Sequence, residues 1–240
     1  EVVTLGSANG VVVSAMVLAT LVSGLILFKL LRTDDVSGKL LTTGTAVCGG
    51  TAVATLAPVI KAENQQVAQT LTIIFVLNGI AIVLFPAIGH ALDLSQQQFG
   101  MWAAVAIHDT SSVVGAAAAY GDEALTTAAT LKILRILWLI PVIIIASYSM
   151  KRISANEIRI PLFVTGFIIA SLIGGYFQFD GDVTSLFSLI SKSLFGLALF
   201  LIGSQMSLES LKTMCPRLIG MAVVLWSALS LGSLYWVTTV

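Results

Sequence analysis

The chain is dominated by long apolar runs, and two of them are broken in the middle by glycine and polar residues. A helix needs about 20 apolar residues to cross the hydrocarbon core of a bilayer. Six stretches meet that length, near 7–31, 65–89, 122–149, 158–177, 184–206 and 216–239. Two further segments, 36–60 and 95–120, are apolar at both ends but read TGTAVCGGT and IHDTSS at their centres. Gly49 and Gly50 supply backbone freedom for a break, and the hydroxyls can satisfy the freed amides. Irregular backbone at membrane depth is tolerated only where protein or a water-filled cavity surrounds it. The expected fold is therefore all-α and polytopic, with about six full transmembrane helices and two interrupted segments in one domain over 1–240.

Composition closes off the other classes. Hydrophobic residues make up 57% of the 240 and charged residues 10%, against roughly 25% charged in a soluble chain. Twelve Lys and Arg balance twelve Asp and Glu without a basic block, which argues against nucleic acid as a partner. Cys48 and Cys215 are the only cysteines and sit in unrelated contexts, so a disulfide framework is not expected. The bilayer is the expected surrounding. No signal peptide is visible and residue 1 is Glu, so we expect the chain to begin partway through a longer protein.

The interrupted segments either cross or return to their side of entry. Positive charge is the available test. If both return, Arg32, Lys39, Lys61, the 150–159 loop with Lys151, Arg152 and Arg159, and the 207–217 loop with Lys212 and Arg217 all lie on one side. The loops at 90–95, 120–123 and 177–183 have no Lys or Arg and would lie on the other. Crossing moves only Lys61 and the 90–95 loop, so charge leans toward hairpins. The segments also align in a register of 60 residues, Gly44–Val53 over Ala104–Val113, and each precedes a long span. As hairpins they would form an inverted repeat, a transporter design in which broken helices meet near the midplane.

Lys132 and Arg135 lie about 10 and 13 residues into the span 122–149, near mid-bilayer at about 1.5 Å per residue. Their spacing of three shares a helix face. Ionisable residues at that depth cost about 2.5–3.5 kcal/mol each on insertion scales, and they default to function. Two readings stand: an anion site or its electrostatic support, or a structural ion pair with Asp109. His108 and Asp109 form either an ion-coupling pair for a proton or sodium, or a turn in which Asp109 caps the next half-helix. Half-helix N-termini at Gly50–Thr51, after Gly49, and at Thr110–Ser112, around Ser111, offer free amides for an anion, and Thr45 and Cys48 beside the first break join them as candidate substrate-binding residues. Cys48 is a small buried thiol more than a nucleophile, and Lys192 faces a cavity or an interface. Asn78 reads as a packing residue, and Pro141 as a kink. No metal-binding run, cofactor motif or catalytic set is present in the sequence, so an enzyme is not expected.

Several motifs in order carry a family resemblance. The run LTTGTAVCGGTAVA from Leu41, Ala57–Ala62, Gln98–Trp102, Ile107–Val114, Lys132 and Arg135 with Pro141, Ile160–Phe167, and Ser191–Lys192 with Ala198–Gly203 resemble the YeiH-type sulfate exporter family of inner-membrane proteins. The resemblance covers nearly the whole chain, as the C-terminal two-thirds of the family domain. It implies a secondary transporter related to the cation-proton antiporter and anion transporter superfamily, moving a small anion by alternating access, and a homodimer. Ala104 stands where that family commonly has Gly, and Ser111-Ser112 where it has Ala-Gln. An anion channel or a non-catalytic membrane subunit are the alternative functions.

Overall fold

The structure is a computed structural model, and it describes residues 2–149 and 215–239 with isolated positions between them. The expected spans at 158–177 and 184–206, Lys192, and the basic loop residues Lys151, Arg152, Arg159 and Lys212 lie outside the described residues.

The described residues are helical, without strands. They form α1 (Val2–Leu30), α2 (Asp35–Ala46), α3 (Gly50–Val59), α4 (Asn64–Ala91), α5 (Gln96–Ala106), α6 (Thr110–Tyr120), α7 (Asp122–Leu137), α8 (Leu139–Ser149) and α9 (Pro216–Thr239). Among the described residues, four stretches are long and apolar enough to cross a membrane: Asn9–Leu30, Asn64–Ala91, Asp122–Tyr148 and Pro216–Thr239. The chain is an all-α, multi-pass membrane protein.

The expected breaks fall at 47–49 and 107–109. Each half-helix is 10 to 12 residues long, or about 15–18 Å, half the thickness of a hydrocarbon core. Side-chain bonds at their outer ends decide between crossing and return. Gln66 Nε2, in the first turn of α4, donates to Asp34 Oδ2 at 2.7 Å, and the same carboxylate caps α2 through Ser37 N at 2.9 Å. The exit of α3 into α4 therefore lies at the entrance of α2. The second segment repeats this at the opposite end. Tyr120 Oη at the end of α6 donates to Leu94 O at 2.6 Å, and Gln96 Oε1 at the start of α5 accepts from Glu123 N at 3.0 Å at the start of α7. The 28-residue α4 connects the two ends. Both segments are hairpins, entering from opposite ends and meeting at their tips. Arg217 Nη1 donates to Arg32 O at 3.5 Å, and Gln98 Nε2 to Val237 O at 3.0 Å, so α9 runs from the first end to the second.

Each hairpin has its own apolar cluster. Leu40, Leu41, Val53 and Ile74 pack with Met221 and Leu225 of α9 around the first. Phe99, Trp102, Ile107 and Val113 pack with Ala128 and Leu131 of α7 around the second. In lipid, helix association depends on close packing more than on apolar burial, so small residues set the contact distance. A Cβ at Gly100 would lie 2.7 Å from the Ala124 carbonyl, so α5 approaches the α7 backbone more closely there than any side chain permits.

The span expected over 122–149 is interrupted at Trp138, between α7 and α8. Pro141 has no N–H for the Leu137 carbonyl and its ring crowds it. The turn tightens, and Trp138 N donates to Arg135 O at 3.1 Å.

Candidate functional site

A broken helix exposes carbonyls at the end of its first half and amides at the start of its second, and the two hairpins bring four such ends together. Gly49 holds the first tip at φ 65 and ψ −121, backbone territory that a β-carbon makes costly. A Cβ there would lie 3.3 Å from both the N and Cα of Asp109. The tips are in backbone contact.

Arg135 is 1% exposed and spends its guanidinium on backbone. Nε donates to Ala46 O at 3.1 Å, and Nη2 to Thr45 O at 2.6 Å and Ala46 O at 2.9 Å. Nη1 donates to Ala104 O at 3.0 Å and to Val105 O. Those carbonyls are the C-terminal ends of α2 and α5. All five N–H groups of the fork are used, and two helix C-termini, each worth about half a negative charge, surround the cation. Arg135 is a crosspiece that fastens the first half of one hairpin to the first half of the other. The ion pair with Asp109 is not formed; Lys39 with Asp35 is the one ion pair among the described residues. Nor does Arg135 retain an N–H for an anion, so its contribution is electrostatic support and position.

Lys132 is fully buried one turn earlier. Its Nζ donates to Ile107 O at 2.7 Å, the carbonyl that precedes His108. An ammonium carries three donors, and this bond uses one. The Asp109 carboxyl group and the Cys48 thiol lie nearby. Lys132 and Arg135 thus sit where the tips meet, as their depth in the sequence predicts.

Around them lies a set of buried polar groups without partners. His108 is fully buried, and neither Nδ1 nor Nε2 is hydrogen-bonded. Its backbone N donates to Asn78 Oδ1 at 3.2 Å, which leaves Asn78 Nδ2 free, and Thr45 Oγ1 is free as well. An unpaired buried polar group costs about 1–3 kcal/mol, so this concentration at one place is a sign of something to be bound there. Asn78 is the residue the sequence reading left to packing; its signal was an amide in the middle of an apolar span.

The second half-helices begin beside this cluster. Asp109 accepts from Ser111 N at 3.1 Å and from Ser111 Oγ, so it caps α6 as one of its two readings required. Gly49 gives α3 no side-chain cap. Gly50, Thr51, Asp109, Thr110 and Ser111 are half-buried while Thr45, Cys48, Gly49 and Ser112 are buried. The caps of α3 and α6, Gly49 and Asp109, are adjacent, and the first turns that follow them are partly open. Cys48 is buried, and its sulfur accepts from the Ala52 amide. His90, at the far end of α4, stacks on Tyr120 with ring centres 4.3 Å apart and is no part of the centre. Among the described residues no group of His, Cys, Asp and Glu could hold a metal.

The sequence is similar to several bacterial membrane proteins. A UPF0324 membrane protein of Vibrio parahaemolyticus is 43% identical over 227 residues, covering 92% of this chain and 73% of the relative. One of Shewanella oneidensis is 40% identical over 229 residues, covering 95% and 72%. One of Geobacter sulfurreducens is 41% identical over 222 residues, covering 90% and 70%. No solved structure matches the chain. The family described as conserved hypothetical protein 698 matches residues 1–222. With that match and these relatives, the chain belongs to the UPF0324 family of membrane proteins.

Proposed function

We propose that the chain forms the core of a secondary transporter that carries a small oxyanion, a sulfur oxyanion in the first instance, across the inner membrane by alternating access. The observation that carries this reading is Lys132, a fully buried ammonium with two N–H groups to spare, beside two half-helix N-termini. Donors dominate the centre: Lys132 Nζ, Asn78 Nδ2, the Thr45 hydroxyl and the first-turn amides of α3 and α6. Oxyanions are acceptors, and half-helix N-termini at a midplane break are suited to anionic groups.

The hairpin-plus-span units 35–91 and 96–149 have opposite orientation, which supports an inverted repeat and the rocking motion that such repeats permit. Among the described residues, Lys29, Arg32, Lys39, Lys61 and Arg217 cluster at the end where α2 enters, and the other end carries Asp93, Asp122 and Glu123. That asymmetry in Lys and Arg supports a cytoplasmic first end. Backbone contact between Gly49 and Asp109 brings the two tips together, which supports a carrier over a channel. His108 and Asp109 are the candidates for coupling to a proton or sodium. No catalytic role is assigned, and a homodimer is the expected assembly.

The test is anion-dependent thermal stabilisation of the purified protein with sulfate, sulfite, taurine and chloride. A ligand at 100 times its Kd stabilises by about 2.7 kcal/mol. Stabilisation by an oxyanion that disappears in Lys132→Gln supports the reading. Absence of any stabilisation, or an equal shift in Lys132→Gln, refutes it.

A further inference from the structure

The charges gathered at the hairpin tips restrict the anion further, an inference that rests on the transporter reading above. Lys132, its Nζ held by the Ile107 carbonyl at 2.7 Å, is counted as one positive charge, and Asp109, at the tip against Gly49, as one negative. Arg135 is hydrogen-bonded to the C-terminal carbonyls of α2 and α5, whose dipole ends of about half a negative charge each offset it. The N-termini of α3 and α6 contribute about half a positive charge each. Cys48 and His108 are counted as neutral; they and the groups above are the titratable residues that the hairpins and α7 bring to this place. Among the described residues the sum is about one positive charge, in a region walled by two apolar clusters.

A low-dielectric site is intolerant of residual charge. We infer that the site takes a monovalent oxyanion, such as a sulfonate or hydrogensulfite, and discriminates against a divalent one of the same shape such as sulfate. A monoanion leaves the centre neutral, whereas a dianion leaves an uncompensated negative charge. The unpartnered Thr45 hydroxyl, Asn78 amide and His108 ring, all at least 98% buried, indicate that the place is built for an occupant, independently of the helix ends. Together they offer both donors and an acceptor, which suits an anion whose atoms are not all equivalent.

Asp109 is the lever, because it can be neutralised without losing its cap. Asn and Ser are N-cap residues as effective as Asp, so Asp109→Asn and Asp109→Ser retain the start of α6 and raise the central charge by one unit. The experiment measures the Kd of methanesulfonate and of sulfate, two tetrahedral anions of similar size, by calorimetry at pH 7.5 and constant ionic strength. Wild type is expected to bind methanesulfonate at least about tenfold more tightly than sulfate, and both variants to shift that ratio toward sulfate by about tenfold or more. Equal or tighter sulfate binding by wild type overturns the inference while leaving an anion site intact. So does a ratio unchanged in both variants. Binding of neither anion to wild type overturns the transporter reading itself, and this inference with it.

Discussion

Replacing Arg135 should damage the empty protein, before any anion is added. Five guanidinium bonds hold four carbonyls that belong to different hairpins. Arg135→Met removes the cation, which relieves its own desolvation, but leaves Thr45 O, Ala46 O, Ala104 O and Val105 O short of a partner. Buried unpaired groups cost about 1–3 kcal/mol each. Arg135→Lys is the sharper perturbation. It retains the charge but has three donors on a flexible stem, so it cannot hold both carbonyl pairs in the fixed fork geometry. A loss of about 2 kcal/mol is expected. The assay is equilibrium unfolding in mixed micelles, followed by helical circular dichroism in chloride-only buffer. If Arg135→Lys is within ~0.5 kcal/mol of wild type, the size of an ordinary surface change, the crosspiece assignment is wrong. Were Arg135 instead an anion ligand, the empty variant would keep its stability and lose only its response to anion.

Two other predictions concern the tips and the topology. Gly49→Ala places a Cβ at 3.3 Å from the Asp109 backbone at φ 65, and should cost about 1–3 kcal/mol in the same unfolding assay; a neutral result would separate the tips. Single cysteines replacing Thr33, Lys61 and Asp93 in a background without Cys48 and Cys215 should label with a membrane-impermeant thiol reagent from one face for positions 33 and 61 and from the other for 93. Labelling of 61 with 93 would mean that 36–60 crosses.

Much of this centre is readable from residue types. Gly49-Gly50 and His108-Asp109 interrupt otherwise apolar runs, and the helices break there. Lys61 alone tilts the charge balance toward hairpins, and the Asp34–Gln66 bond bears that choice out. Pro141 marks the interruption at Trp138 because its missing N–H acts four residues back. The partners of Arg135 leave no such trace. They are main-chain carbonyls of Thr45, Ala46, Ala104 and Val105, and every residue has one, so a side-chain inventory points instead to Asp109, the carboxylate at the centre of an interrupted segment. Asn78 is hidden for a related reason. A lone amide in a span satisfies the ordinary needs of helix packing, and only the fold shows that it meets the His108 backbone at the second tip. The charge asymmetry behind the proposed orientation includes Lys151, Arg152, Arg159 and Lys212, which lie outside the described residues; Lys29, Arg32, Lys39, Lys61 and Arg217 carry the same asymmetry by themselves.

The most direct test of the central claim, that an oxyanion is carried where the two hairpins meet, is counterflow in proteoliposomes. Vesicles loaded with unlabelled methanesulfonate or sulfite are diluted into a trace of the labelled anion, for wild type and for Lys132→Gln of verified fold. The account predicts transient, saturable accumulation in wild type that is lost in Lys132→Gln. Equal counterflow in the variant, or a wild-type flux that rises linearly with concentration and shows no counterflow, contradicts it.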